Sequence, residues 1–305
     1  MLNALTVDVE DYYHVSAFES VIRFADWERC ESRVEHNTYR LLELLETHKT
    51  RATFFVLGWV AERHPQLVRA ISACGHEVAS HGYAHQRLYT QTPEQFRAET
   101  RRSKGILEDA LGRPILGYRA ASYSVTAQSL WALAILREEG FAYDSSIFPI
   151  HHDLYGIPSA PRFCHVLQGP GYSGLVEFPL STLRLGSLNL PIAGGGYFRL
   201  FPYALTRWGI RHLNTHEHQP TVVYLHPWEI DPAQPRIQAG GRARLRHYLN
   251  LRRTVARLQR LLQDFRFGTM VDVLRERGLL TTAEAHSGQT HAITPSPTTA
   301  QSGRE

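Results

Sequence analysis

Short apolar runs alternate with longer segments whose apolar residues recur at helical spacing, and this exchange repeats along most of the chain. Residues 4–9 read as a first strand. Residues 38–48 follow as a helix with Leu41, Leu42, Leu44 and Leu45 on its buried side. Residues 51–57 are rich in β-branched and aromatic side chains, as suits a second strand. A helix opens at Pro65 and ends at Gly75, the usual placing of a first-turn proline and a terminal glycine. Residues 78–80 form a third strand. Thr92 caps the next helix, Pro93 suits its first turn and Gly112 stops it. A strand at 115–118, a helix at 126–139 stopped by Gly140, and strands at 141–144, 176–179 and 221–225 continue the pattern.

Strand–helix alternation of this kind predicts an α/β fold, either a barrel or a doubly wound sheet. Asp8, His81, Arg119, Asp144 and His226 all fall at or just beyond the carboxyl ends of these strands. In barrels that rim builds the active site. Two regions interrupt the alternation. Residues 151–174, with Pro158, Pro161, Gly169, Pro170 and Gly171, are too long for an idle connection and read as a substrate-side loop or lid. Gly194-Gly195-Gly196 lacks the lysine and spacing of a phosphate loop and reads as a tight turn near the site. The tail at 285–305, rich in Thr, Ser, Gln and Pro, is expected to be disordered.

The chain has 305 residues, 43% of them hydrophobic, enough for one large domain or two small ones. Its formal charge of +4 is modest. The densest basic patch, 236–260, is interleaved with apolar residues at helical spacing and reads as a solvated helix. With no basic stripe interleaved with aromatics, a nucleic-acid partner is not expected. Three scattered cysteines without a CxxC favour a reducing compartment. No apolar run is long enough to span a bilayer, and the chain enters its first strand at once. A cytoplasmic protein is the expectation.

The chemistry concentrates in Glu77-Val78-Ala79-Ser80-His81-Gly82-Tyr83-Ala84-His85. On one helical or turn-like face, imidazoles four residues apart reach a single cation. An anionic third ligand is available from Thr6-Val7-Asp8-Val9-Glu10-Asp11. Two histidines and one carboxylate, with a position left open for water, are the usual plan of a metal hydrolase.

Asp8-Val9-Glu10-Asp11, His81-x-x-x-His85, Arg119-Ala120-Ala121-Ser122-Tyr123 and Leu225-His226-Pro227 occur in an order that resembles the polysaccharide deacetylases, carbohydrate esterase family 4 with the NodB-homology fold. The resemblance covers residues 4–231. Beyond it, residues 246–253 and 265–270 resemble the C-terminal extension of an exopolysaccharide-associated subgroup found beside exosortase (PEP-CTERM) systems. It implies a distorted (β/α) barrel and a single catalytic domain at 1–284, with the core at 4–231 and a helical extension at 232–284. It further implies Asp8 as general base, His226 as the acid that protonates the leaving amine, and Arg119 as the partner of Asp8. Asp144 is the expected partner of His226, with Asp231 competing. The family commonly has a second aspartate directly after the first; here that position is Val9. Alternate strand residues share a face, so Glu10 points with Asp8 and is the preferred metal ligand beside His81 and His85, with Asp11 the alternative if the strand has already ended. A backbone N–H near Tyr123 is expected at the oxyanion, and Tyr123, Trp228 and Tyr197 are expected to contact sugar.

The implied activity is metal-dependent removal of N-acetyl groups from amino sugars of a polysaccharide or its biosynthetic intermediate. Zn²⁺ is the expected ion, with Co²⁺, Mn²⁺ and Ni²⁺ compatible with the same ligands. The expected partner is an N-acetylated glycan, with peripheral contact to membrane biosynthetic machinery. Two other readings share these residues: a small-molecule (cyclic) amidase on the same fold, and a non-catalytic glycan-binding protein.

Overall fold

The first apolar run is buried from Asn3 through Val15 without a break, because strand β1 lies inside the sheet with both faces covered. The computed structural model describes residues 1–192 and 194–281, so the tail expected at 285–305 lies outside the described residues. In chain order the strands are β1 Leu2–Val9, β2 Thr53–Val56, β3 Glu77–Ser80, β4 Gly117–Tyr118, β5 Tyr143–Asp144, β6 His165–Val166, β7 Val176–Glu177, β8 Thr182–Leu185, β9 Leu188–Pro191, β10 Val222–Leu225 and β11 Arg266–Gly268. Nine of them form one curled sheet, ordered β10-β1-β2-β3-β4-β5-β7-β6, with β11 also on β1; β8 and β9 make a separate hairpin. All pairings in the large sheet are parallel except β6 with β7.

The barrel is distorted because β10 and β6 do not pair. Irregular backbone covers the free edge of β10 instead. Gly194 makes an isolated parallel bridge to Tyr224, and the Val222 N–H donates to Ser181 Oγ at 2.7 Å. Gly194 has φ +138°, and a Cβ there would sit 1.9 Å from the Tyr224 carbonyl oxygen. The glycine run is thus the tight approach that the sequence suggested.

Most helices follow local signals. Thr92 accepts the Gln95 N–H, Pro93 opens Pro93–Leu111, and Gly112 ends it at φ +65°. Pro65–Ala73 likewise begins on its proline. Two starts differ from expectation. Helix Val34–Thr47 begins a turn before residue 38, because its first N–H groups are capped by Asp11, far away in sequence. Helix Trp131–Glu138 begins after residue 126, because Ser129 Oγ takes the Thr126 N–H at 2.8 Å and donates to Ser124 O at 3.0 Å, which holds a turn there.

The loop at 151–174 contains β6, which among the described residues adds the antiparallel strand at the edge of the large sheet. The C-terminal stretch folds as helices Gly241–Tyr248 and Leu251–Asp264, strand β11 and helix Met270–Glu276. Ala4 is level with Val222 of β10 on one side and with Gly268 of β11 on the other, so this stretch enters the central sheet. Among the described residues, no helix is long and apolar enough to cross a membrane.

Gly194→Ala is expected to lower stability by about 2–4 kcal/mol, from strained backbone and overlap with Tyr224. Urea unfolding measures it, and an unchanged midpoint would show that this edge of the sheet is not tightly closed.

Candidate active site

Sheet register decides which side chains meet. Val9, Val56, Ser80, Tyr118, Asp144 and Glu177 stand level across β1, β2, β3, β4, β5 and β7. Glu10, His81 and Arg119 each follow one step later, at the carboxyl rim. Leu225 is level with Val7, which brings His226 beside Asp8.

His81 leaves β3 directly, and His85 is reached through an irregular turn rather than a helix, with Gly82 at φ +72° and His85 at φ +51°. The two ring centroids are 5.4 Å apart. His81 Nδ1 lies 2.9 Å from the Arg119 carbonyl oxygen. A carbonyl only accepts, so the proton sits on Nδ1 and the Nε2 lone pair turns toward Glu10. Glu10 Oε1 is 3.7 Å from His81 Nε2, and Glu10 Oε2 is 3.6 Å from His85 Nε2.

These gaps suit a shared ion. Glu10 Oε2 and His81 Nε2 are buried without a hydrogen-bond partner, and one ligand atom from each of Glu10, His81 and His85 lies within 4.8 Å of the others. Buried polar atoms left unpaired are rare. Ligands about 2.0–2.1 Å from a tetrahedral ion stand roughly 3.3–3.5 Å from one another, close to the separations seen. Burial drives His85 down to about 4, so its imidazole is neutral, as a ligand must be. Burial would raise the Glu10 carboxyl, but His85 and His226 more than reverse it and hold it well below the usual range.

Asp11, the alternative ligand, is turned away. Its Oδ2 accepts N–H groups from Arg33 at 2.6 Å and Val34 at 2.9 Å and the Ser32 hydroxyl at 3.1 Å, while Oδ1 accepts the Tyr12 N–H. It is a remote helix cap, with no lone pair directed to the histidines.

Asp8 stands on the other side of Glu10. Arg119 Nη1 donates to its Oδ1 at 2.7 Å and the Tyr123 hydroxyl donates to its Oδ2 at 3.2 Å. Arg119 is fully buried, and its remaining bonds go to Thr6 Oγ1 and to Ser145 O and Oγ. Tyr123 thus meets Asp8 through its side chain, while its backbone N–H is taken by Ala120 O at 3.0 Å. The expected oxyanion donor is not free at that residue. Ser122 and Tyr123 both have positive φ, a strained pair that aims the phenol inward.

His226 Nε2 lies 3.2 Å from Glu10 Oε1 and 3.9 Å from Asp8 Oδ2. Its Nδ1 lies 2.6 Å from Glu229 Oε1. Neither Asp144 nor Asp231 is its partner. Asp144 accepts the Ser146 hydroxyl at 2.6 Å and stands level with buried Glu177, and Asp231 accepts from Asn37 and Ala233. Glu229 sits three residues beyond His226 on a short helical turn, where its carboxylate also takes the His226 N–H. The sequence reading missed Glu229, although His-Pro-x-Glu is the spacing of a capping box with proline in the first turn and is a local signal for it. Arg199 Nε donates to the far oxygen of Glu229 at 2.6 Å and is anchored by the carbonyls of His247 and Leu249. Burial would lower the His226 pKa, but Glu10 and Glu229 outweigh it and push it up to about 10.

Trp228 stacks between His226 and His247, at centroid distances of 5.1 and 4.1 Å. Trp228 and Tyr197 line a cavity of about 430 Å³. Tyr12, Tyr13 and Trp59 belong to the core.

Residues 21–140 match the family described as Polysaccharide deacetylase, and residues 145–275 match a Domain of unknown function (DUF3473). A chitooligosaccharide deacetylase of Rhizobium leguminosarum bv. trifolii is 27% identical over 155 residues, 51% of this chain and 64% of the relative. A peptidoglycan-N-acetylglucosamine deacetylase of Bacillus cereus is 30% identical over 158 residues, 52% of this chain and 67% of the relative. The chain spans no more than about two thirds of the length of these two relatives. In fold it is similar to a Mycobacterium smegmatis protein assigned as a polysaccharide deacetylase, with TM-score 0.58, 23% identity and coverage of 92% of this chain and 91% of the other.

Two substitutions separate ligand from cap. Asp11→Ala is expected to cost about 1–3 kcal/mol in denaturant unfolding and to keep the bound metal. Glu10→Gln is expected to keep the fold and lose most of the metal measured by plasma mass spectrometry. Metal lost from Asp11→Ala alone would reverse the assignment.

Proposed function

This chain belongs to the polysaccharide deacetylase family, and from that premise we propose that it is a metal-dependent hydrolase removing N-acetyl groups from amino sugars of a polysaccharide or of its biosynthetic intermediate. The observation that carries the reading is a single rim where a carboxylate–bis-imidazole cluster is flanked by a buried Asp8–Arg119 pair on one side and a His226–Glu229 pair on the other.

Glu10, His81 and His85 would hold the ion, with zinc the ion we assign. Bound there, it would supply Lewis-acid polarisation of the acyl oxygen and make a water molecule easier to deprotonate. Asp8 is the base: it takes a proton from the attacking water, with Arg119 and Tyr123 fixing the orientation of its carboxylate. The water oxygen bonds to the acetyl carbon and the carbon–nitrogen bond breaks. His226 gives its Nε2 proton to the departing nitrogen, while Glu229 accepts from Nδ1 and keeps the imidazole in place. The products are acetate and a free amino sugar. The aromatic lining beside His226 supports a glycan substrate, as do the deacetylase activities named for the two bacterial relatives.

We also assign the C-terminal extension at 232–284 to the exosortase-associated subgroup and treat residues 1–284 as one catalytic unit. The separate match at 145–275 and the pairing of β11 with β1 support this.

Acetate release from N-acetylhexosamine oligosaccharides is the direct test. Turnover is expected to vanish with chelator and to fall at least about 10²-fold in Asp8→Asn with metal retained. Equal rates in wild type and Asp8→Asn would remove the base assignment, and chelator-insensitive turnover would remove the metal.

Glu229→Gln tests the acid. Losing the anion beside Nδ1 lowers the His226 pKa, so protonated His226 disappears at lower pH. The alkaline limb of kcat is expected to move down by about one to three units. A limb that stays put would take His226 out of the acid role.

A further inference from the structure

The cavity beside His226 is closed on one side by the C-terminal stretch, through Leu245, Arg246, His247 and Leu249. Its volume of about 430 Å³ falls within the range of small-molecule sites. Three features of its lining point to one kind of occupant.

The first is charge. No carboxylate lines the cavity. Of its two arginines, Arg199 is neutralised by Glu229 at 2.6 Å. Arg246 is exposed and has no hydrogen-bond or ion-pair partner among the described residues. The cavity therefore carries an uncompensated cation. The second is an ordered aromatic wall. Tyr155 stacks on His152 at 3.8 Å and on Phe148 at 5.9 Å, both within 8° of parallel, and its hydroxyl lies 3.5 Å from that of Tyr197. These rings pack against one another in the fold itself, which is the arrangement a stacking platform needs. The third is an unsatisfied donor. Trp228 is 4% exposed, lines the cavity, and its indole N–H has no partner. A buried donor left open is costly unless something supplies an acceptor.

A ring with an apolar face, hydroxyl acceptors on its edge and a negative group matches all three. We propose that this cavity is a second sugar subsite, taking the unit that adjoins the N-acetylated one and selecting an anionic substituent on it through Arg246. The negative group is a carboxylate or a phosphate, since one guanidinium recognises both. The proposal rests on the deacetylase reading for the identity of the neighbouring unit. It extends that reading by giving the C-terminal stretch a part in substrate choice. The loop at 151–174 takes part through His152 and Tyr155.

Binding, rather than turnover, tests it. Calorimetric affinities would be compared for chitotetraose, a hyaluronan tetrasaccharide in which glucuronate alternates with N-acetylglucosamine, and UDP-N-acetylglucosamine. Wild type is expected to bind at least one anionic probe roughly tenfold or more tighter than the neutral one, as a charge-assisted hydrogen bond would give. Whichever anionic probe gains identifies carboxylate or phosphate as the source. The advantage is expected to collapse in Arg246→Ala, to survive in large part in Arg246→Lys, and to shrink as salt rises from about 50 to 500 mM. Equal affinities for all three probes, or an advantage unchanged in Arg246→Ala, would overturn it. Anion-selective binding without acetate release would sink the deacetylase reading and leave the subsite. Acetate release from chitotetraose without any anion preference would do the opposite.

Discussion

A guanidinium with no exposed surface holds the rim together. Arg119 joins Asp8 and Thr6 of β1 to Ser145 beyond β5, and its plane lies 4.0 Å from the Phe55 ring of β2. Desolvating such a group costs several kcal/mol unless its donors are met, and here carboxylate, hydroxyl and carbonyl oxygens meet them. The residue assigned as base is therefore also the counter-charge of a buried cation. An aspartate stripped from this position would leave the cation unpaired, which is why an isosteric amide is the informative change. The strand ends stay in register because this one group bonds to several of them.

A second buried pair stands on the far side of Glu10. Glu229 links His226 to Arg199, and Arg199 is held by backbone carbonyls at His247 and Leu249. Those carbonyls lie where Gly241–Tyr248 gives way to the next helix. The C-terminal stretch thus fixes the imidazole through three hydrogen-bonded links in series, besides contributing β11 to the sheet. Oriented hydrogen bonds of this kind set both tautomer and charge state of a catalytic histidine. If His226 is the acid, as proposed, its dependence on a segment so distant in sequence makes the two parts of the chain one chemical unit.

Much of this was legible in the residues. Strand-end placing of Asp8, His81, Arg119 and His226 follows from a short apolar run meeting a polar side chain, and parallel register then aligns them. What was not legible depended on contacts between distant positions. Asp11 follows the same strand as Glu10, and only its bonds to residues 32–34 show that it caps a helix. Asp144 ends a strand as Asp8 does, but its neighbour is Glu177, across a pairing of β5 with β7 that no local pattern announces. Glu229 was missed for a different reason: its signal is local, a capping spacing three residues after His226, but that pattern ordinarily marks a helix start rather than a partner for an imidazole. Two-residue strands such as β4 and β5, and β11 within a stretch expected to be helical, owe their existence to partners rather than propensity.

Charge counting explains why Glu10 is central. Asp8 balances Arg119, Glu229 balances Arg199, and Glu10 balances protonated His226, so these pairs cancel, and His85 beside them is uncharged. A dication shared by Glu10, His81 and His85 adds two positive charges and competes with His226 for Glu10. Its presence would pull the imidazole down from about 10 toward the range where a proton is readily given up near neutrality. Glu229, bonded to the other ring nitrogen, limits that fall. One carboxylate beyond the end of β1 thereby couples ion binding to the readiness of the acid, and its extra methylene relative to aspartate gives it the reach to face all three imidazoles.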